Sequence, residues 1–212
     1  MSNKMGYYLA LLIFIYLGYP DRRIQNFPID AEEILEPTWF NAEDTLEIDL
    51  TRSKIFWKGT KMRGLGKHEG EIEILGGFLL IENNRILGGE IDVNMHRISV
   101  TDIPESDPIP IKNLTNHLKG PDFFDVENYP LSHLSIRSVQ LDPGNKILLT
   151  GSLTIKGITN SISFEVKKLG MNHFTTNLEF DRFDWDIAYS GSWADRTLVD
   201  REIVLRAEIL CK

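Results

Sequence analysis

The chain has 212 residues, 42% hydrophobic and 25% charged, with a formal net charge of −8. That length is enough for one domain with a sizeable buried core, and the acidic balance without a Lys/Arg cluster argues against a nucleic-acid partner. The one cysteine, Cys211, excludes an intramolecular disulfide and a cysteine-built metal knuckle, so the fold must rest on core packing.

Residues 7–17, YYLALLIFIYL, form an uninterrupted apolar run behind a single lysine, Lys4. The run is shorter than the ~20 residues needed to cross a bilayer and has the layout of a secretory leader. Only Gly18-Tyr19-Pro20 follows it, with no small-residue cleavage site. Residues 1–19 are therefore expected to be a signal peptide or an N-terminal anchor through which the protein associates with a membrane. Residues 20–44 are acidic, carry three prolines and lack sustained periodicity, which reads as a linker. The domain is expected over residues 45–212.

From Leu46 onward the apolar residues alternate. Ile55 and Trp57 share one face with Lys54 and Lys58 opposite, and Phe56 interrupts the polar side. In residues 68–74, Glu69, Glu71 and Glu73 lie opposite Gly70, Ile72 and Ile74, a period of two that marks a strand with one wet face. Three evenly spaced glutamates on that face read as solvated rather than catalytic. Gly76-Gly77 and Asn83-Asn84 read as turns of a meander, with a short strand at 78–81 between them. Ile91, Val93 and Met95 then alternate with Glu90, Asp92 and Asn94.

Residues 101–111 hold three prolines and cannot be a central strand. Residues 113–119 are expected to make one or two helical turns, stopped by Gly120-Pro121. Strands resume with Leu134 and Ile136, and Asp142-Pro143-Gly144-Asn145 is a strong turn. The next faces are Ile147, Leu149, Gly151, Leu153 and Ile155, then Ile162, Phe164 and Val166. Residues 174–186 are expected to be one further strand, and Ile203, Leu205, Ala207 and Ile209 line the last. About eight antiparallel strands with one wet face each must close or pack on a second sheet. An eight-stranded barrel is near the size that holds one small apolar ligand, and periodicity does not separate a filled barrel from a hollow one.

His117, Asp122, Asp125, Glu127 and His133 fall within one short segment. They lack metal-ligand spacing, and turn-capping acids are the commoner use of such residues. Asp181, Arg182, Asp184 and Asp186 read as a buried salt-bridge network or a polar anchor at a cavity mouth. No nucleophile motif appears.

Four segments together resemble the YceI-like family. HLKGPDFFDVENYP (117–130) is similar to that family's H-L-x-x-x-D-F-F-D-x-x-x-Y-P motif, and GSLTIKGIT (151–159) resembles its G-x-L-T-[IL]-[KR]-G-[IV]-T strand and turn. DRFDWDIAYS (181–190) resembles its arginine-plus-aromatic strand with Trp where Phe is commoner, and IDVNMHRISV (91–100) fits a further segment. The resemblance spans about residues 46–210. It implies an all-β fold, an extended eight-stranded antiparallel lipocalin-like barrel with a short helical excursion. It implies an exported, periplasmic or cell-envelope protein that binds a polyisoprenoid chain, such as a quinone or polyprenyl lipid, with no catalytic residues, metal or cofactor. Trp57, Ile72, Ile91, Val93, Phe123, Phe124, Leu149, Leu153, Phe164 and Trp185 are the expected lining. Two other readings stay open on the residues alone: a structural or partner-binding barrel filled by its own side chains, and a hydrolase using Asp122 and Asp125. The oligomeric state has no signal in the sequence.

Overall fold

The computed structural model describes residues 45–82, 85–141, 147–188 and 198–212. The leader and linker expected over residues 1–44, and the turns expected at Asn83-Asn84 and at residues 142–145, lie outside them. Nine antiparallel strands form one sheet: β1 (Thr45–Glu47), β2 (Lys54–Lys61), β3 (Gly66–Glu82), β4 (Arg85–Val100), β5 (Leu131–Leu141), β6 (Ile147–Ile155), β7 (Ile158–Gly170), β8 (His173–Asp181) and β9 (Val199–Leu210). From β2 onward each strand pairs with its successor, and β9 returns to β2 with Trp57 opposite Leu205. Eight strands therefore close into a barrel, which leaves no long unpaired edge. The short β1 is an addition to β3, and Ile48 beyond it bridges to Cys211.

The alternation read from the sequence sets the inner wall. Ile55, Trp57, Ile72, Ile74, Ile91, Leu149, Leu153, Phe164 and Ile203 are all buried, and each fully buried large apolar side chain contributes about 1.5–3 kcal/mol. The glutamates of β3 face outward and meet basic partners: Glu71 lies 3.3 Å from Lys54, Glu69 3.1 Å from Lys67, and Glu73 3.9 Å from Arg97. Phe56, the apolar exception on the outer face of β2, is covered by the Arg206 guanidinium 4.3 Å above its ring.

Three expectations are corrected. Gly76-Gly77 does not end a strand, because β3 runs unbroken from Gly66 to Glu82 and shifts register there instead. Gly77 (φ 152°) faces Gly89 (φ 154°) obliquely across the β3–β4 ladder, and a Cβ on Gly89 would lie 2.5 Å from the Phe78 carbonyl oxygen. The pair thus bends two long strands around the barrel wall, which is the use glycine has inside a strand. The helical excursion, α1 (Pro108–Lys119), begins a turn earlier than residue 113. Pro108 and Pro110 sit in its first turn, where the missing N–H groups would have had no intrahelical acceptor. Finally, β8 stops at Asp181 and gives way to a 3-10 turn over Arg182–Trp185, so residues 174–186 are not one strand.

Candidate functional site

The inner wall encloses two adjoining cavities, of about 250 and about 100 Å³. The larger lies under α1 and beside the β2–β3 hairpin. Leu114, His117 and Leu118 reach it from the helix, Phe123 and Phe124 from the loop that follows, and Thr60, Lys61, Lys67 and His68 from the hairpin. The smaller lies toward the other end of the barrel, among Leu79, Ile86, Phe174 and Ile209. Ile55, Val93, Leu153 and Leu205 line both and form the waist between them. Together they hold about 350 Å³, at the lower end of the range for small-molecule sites.

The loop after α1 explains how the two phenylalanines come to be part of the wall. Gly120 ends the helix, and its carbonyl accepts from the amides of Phe123 (3.0 Å) and Asp125 (2.9 Å). Asp125 adopts a left-handed conformation (φ 46°), its carboxylate accepts from Asn128 Nδ2 at 3.0 and 3.1 Å, and its carbonyl accepts from the Tyr129 amide at 2.8 Å. Asx-type bonding of this kind fixes a turn without a strand or helix ladder. Phe123 is thereby buried, edge-on to the His117 ring at 4.7 Å, and Phe124 stands edge-on to Phe123 at 6.2 Å. Burial holds the His117 imidazole below its ordinary value, with the Asp122 carboxylate pulling the other way.

Nine of the ten side chains expected from the sequence line a cavity. Trp57, Ile72, Phe123 and Phe124 line the larger, Ile91, Leu149 and Phe164 the smaller, and Val93 and Leu153 both. Trp185 lines neither. It lies one layer behind, edge-on at 4.9 Å to Phe180, which does face the larger cavity, and its indole N–H donates to the Leu153 carbonyl at 3.0 Å. The 3-10 turn, absent from the sequence reading, is what moves it there.

The polar groups resolve differently from the readings of the sequence. Arg182 is fully buried, yet its described acceptors are backbone carbonyls: Nε donates to Asp200 at 3.0 Å, Nη2 to Val199 at 3.1 Å and Nη1 to Ile187. Asp181 instead binds Arg201, which with the Phe183 amide holds its carboxyl below the usual carboxylate range against the opposing effect of burial. Among the described residues the arginine thus braces β9 against the turn after β8 through backbone carbonyls. His133 pairs with Asp92 at 2.7 Å and His68 with Asp102 at 3.0 Å. Among the described residues no group of three or more His, Cys, Asp or Glu gathers as a metal site would.

Two of the lining residues outside that expectation are polar, and the sequence carries the signal for both. Ser132 shares the parity of the inward Leu134 and Ile136 on β5, and His117 lies on the helix face of Leu114 and Leu118.

A sequence profile of the YceI-like domain matches residues 46–210, the whole barrel. The chain belongs to the YceI-like family. Proteins YceI of Escherichia coli O157:H7 and Shigella flexneri are 35% identical to this family member over 54 residues, a stretch that is 26% of the chain and 28% of the relatives' length. Two proteins of solved structure share the fold. BcnA of Burkholderia cenocepacia superposes with a TM-score of 0.63 at 20% identity, over 78% of this chain and 99% of its own. A polyisoprenoid-binding domain from Saccharophagus degradans superposes with a TM-score of 0.56 at 11% identity, over 80% of this chain and 98% of its own.

Proposed function

We propose that this YceI-like barrel is an exported binding protein that sequesters or carries an isoprenoid lipid, a quinone or a polyprenyl chain, rather than an enzyme. The observation that carries the reading is the pair of adjoining apolar cavities with a shared waist, a shape suited to a long narrow chain and not to a compact polar substrate. Each CH2 of such a chain taken out of water contributes about 0.8 kcal/mol before ordering costs. The fold shared with a protein described as a polyisoprenoid-binding domain supports the same ligand class. The apolar run at residues 7–17 supports export or anchoring at the cell envelope.

A barrel filled by its own side chains is the competing reading, and about 350 Å³ of internal space weighs against it, since well-packed interiors hold few voids larger than a water molecule. Titration with a short-chain isoprenoid quinone separates the two. Trp57 lines the larger cavity, so bound quinone is expected to quench its emission saturably, with the quench lost in Trp57→Phe. Absence of a saturable quench in the wild-type protein would favour the self-filled barrel.

A further inference from the structure

The two cavities differ in one respect that bears on how a ligand lies in them. In the smaller cavity the hydroxyls are Thr175 and Thr176, and both are spent on backbone carbonyls: Thr175 Oγ1 donates to Ala207 at 3.0 Å and Thr176 Oγ1 to Glu165 at 2.7 Å. That end offers a ligand only hydrocarbon. In the larger cavity, Thr60 donates to Asp200 at 2.6 Å and the Trp57 indole to Ser99 at 2.9 Å. Among the lining hydroxyls of the two cavities Ser132 is the exception. Only 6% of its surface is exposed, and its Oγ is buried with no hydrogen-bond partner among the described residues.

A buried hydroxyl left unpaired costs about 1–3 kcal/mol, so a serine facing an apolar lumen calls for a partner brought from outside. Apart from Lys61, Lys67 and His68 on the hairpin, the larger cavity's lining is apolar but for Thr60, His117 and Ser132, which suits an uncharged partner. Burial holds the His117 imidazole below its ordinary value, with Asp122 opposing, and Lys67 is paired with Glu69 at 3.1 Å.

We infer that Ser132 is a head-group contact: the isoprenoid lies with its tail across the waist in the smaller cavity and an uncharged oxygen, a quinone carbonyl or an alcohol, on the Ser132 hydroxyl in the larger one. This rests on the lipid-binding reading above and narrows it to oxygen-bearing isoprenoids bound in one orientation. A carbonyl accepts from the hydroxyl and an alcohol donates to it, so serine serves either chemistry.

The test compares two probes with one tail, farnesyl-benzoquinone and farnesylbenzene, on the wild-type protein, Ser132→Ala and Ser132→Thr. Ser132→Ala is expected to weaken the quinone about tenfold, the scale of one hydrogen bond, and to leave farnesylbenzene within about twofold. Ser132→Thr, which keeps a hydroxyl, is expected to retain most of the quinone affinity. The alanine variant removes an unpaired buried group, so its thermal midpoint should not fall, and Ser132→Thr guards against a folding defect. Equal weakening of both probes, or no change in either, would overturn the contact while leaving lipid binding in place. If the wild-type barrel bound neither probe, the lipid-binding reading itself would fall and this inference with it.

Discussion

Arg182 shows what one residue contributes when its charge is fully enclosed. Three carbonyls, on Ile187, Val199 and Asp200, depend on its guanidinium, and Phe183 stacks beneath it with the ring centre 4.2 Å away. The planar fork fits this task because it presents several donors in fixed directions, which a lysine ammonium does not. Arg182→Met keeps the aliphatic stem and strips the donors, leaving buried acceptors unpaired. The expected loss is about 3–5 kcal/mol of unfolding free energy in urea titration. A loss under about 1 kcal/mol would mean that the carbonyls find water or other donors, and that the brace is dispensable. Ser132 is the opposite case at the same scale: a single hydroxyl whose use awaits a ligand rather than a backbone partner.

At the scale of elements, the β2–β3 hairpin forms part of the larger cavity's wall and is held by one carboxylate. Met62 and Arg63 both take left-handed backbone angles (φ 53° and 57°), and Gly64 continues the turn at 84°. Such angles cost a side-chain-bearing residue energy unless something fixes them. Asp200 on β9 does so, accepting from Thr60 Oγ1 at 2.6 Å and from the amides of Arg63 and Gly64 at 2.9 Å each. These bonds hold its carboxyl below the ordinary value of 3.8, the Thr60 hydroxyl acting most strongly. A folded value below the unfolded one means that the stabilisation is fully present above about pH 4 and is lost as the pH falls through the folded value. Thermal unfolding of Asp200→Asn should therefore depend less steeply on pH below about 4 than that of the wild-type protein. The remaining slope falls to groups such as Asp49, whose carboxyl is held low by Thr51 and then Arg52. Identical slopes would show that the Asp200 carboxylate does not need its charge to hold the turn.

The same scale explains what the sequence made legible. Strand faces were readable because a period of two fixes which side chains share a side, and nine of ten expected lining residues do face a cavity. Gly76-Gly77 misled because a glycine pair serves a turn and a bulge equally well. Only the pairing of Ile74 with Val93 and of Gly76 with Asp92 distinguishes the two. The early start of α1 was hidden by prolines, which exclude a central strand but suit a helix's first turn. Trp185 does not share the parity of Phe174, Leu178 and Phe180, and the 3-10 turn sets it behind Phe180 rather than in the lumen. Ser132 follows the parity of β5, but a small polar residue carries no apolar signal of its own. Whether the barrel is hollow had no signal in periodicity, since it depends on summed side-chain volumes across eight facing strands.

For the whole molecule, the barrel separates two environments. Its outer face carries cross-strand ion pairs such as Lys54–Glu71 and Arg97–Glu73, in keeping with the acidic composition of a chain with net charge −8. Its inner face holds about 350 Å³ of mostly apolar space, lined at the α1 end by Phe123 and Phe124. A molecule built this way gains by admitting a hydrocarbon chain, because the lining then regains dispersion contacts that a void forfeits. The most direct test of that account is organic extraction of the purified full-length protein, followed by mass spectrometry of the extract. The account predicts an isoprenoid lipid with an oxygen-bearing head, in near-stoichiometric amount, reduced in protein carrying Leu153→Trp at the waist. Repeated preparations without isoprenoid, together with no uptake of added quinone, would contradict it.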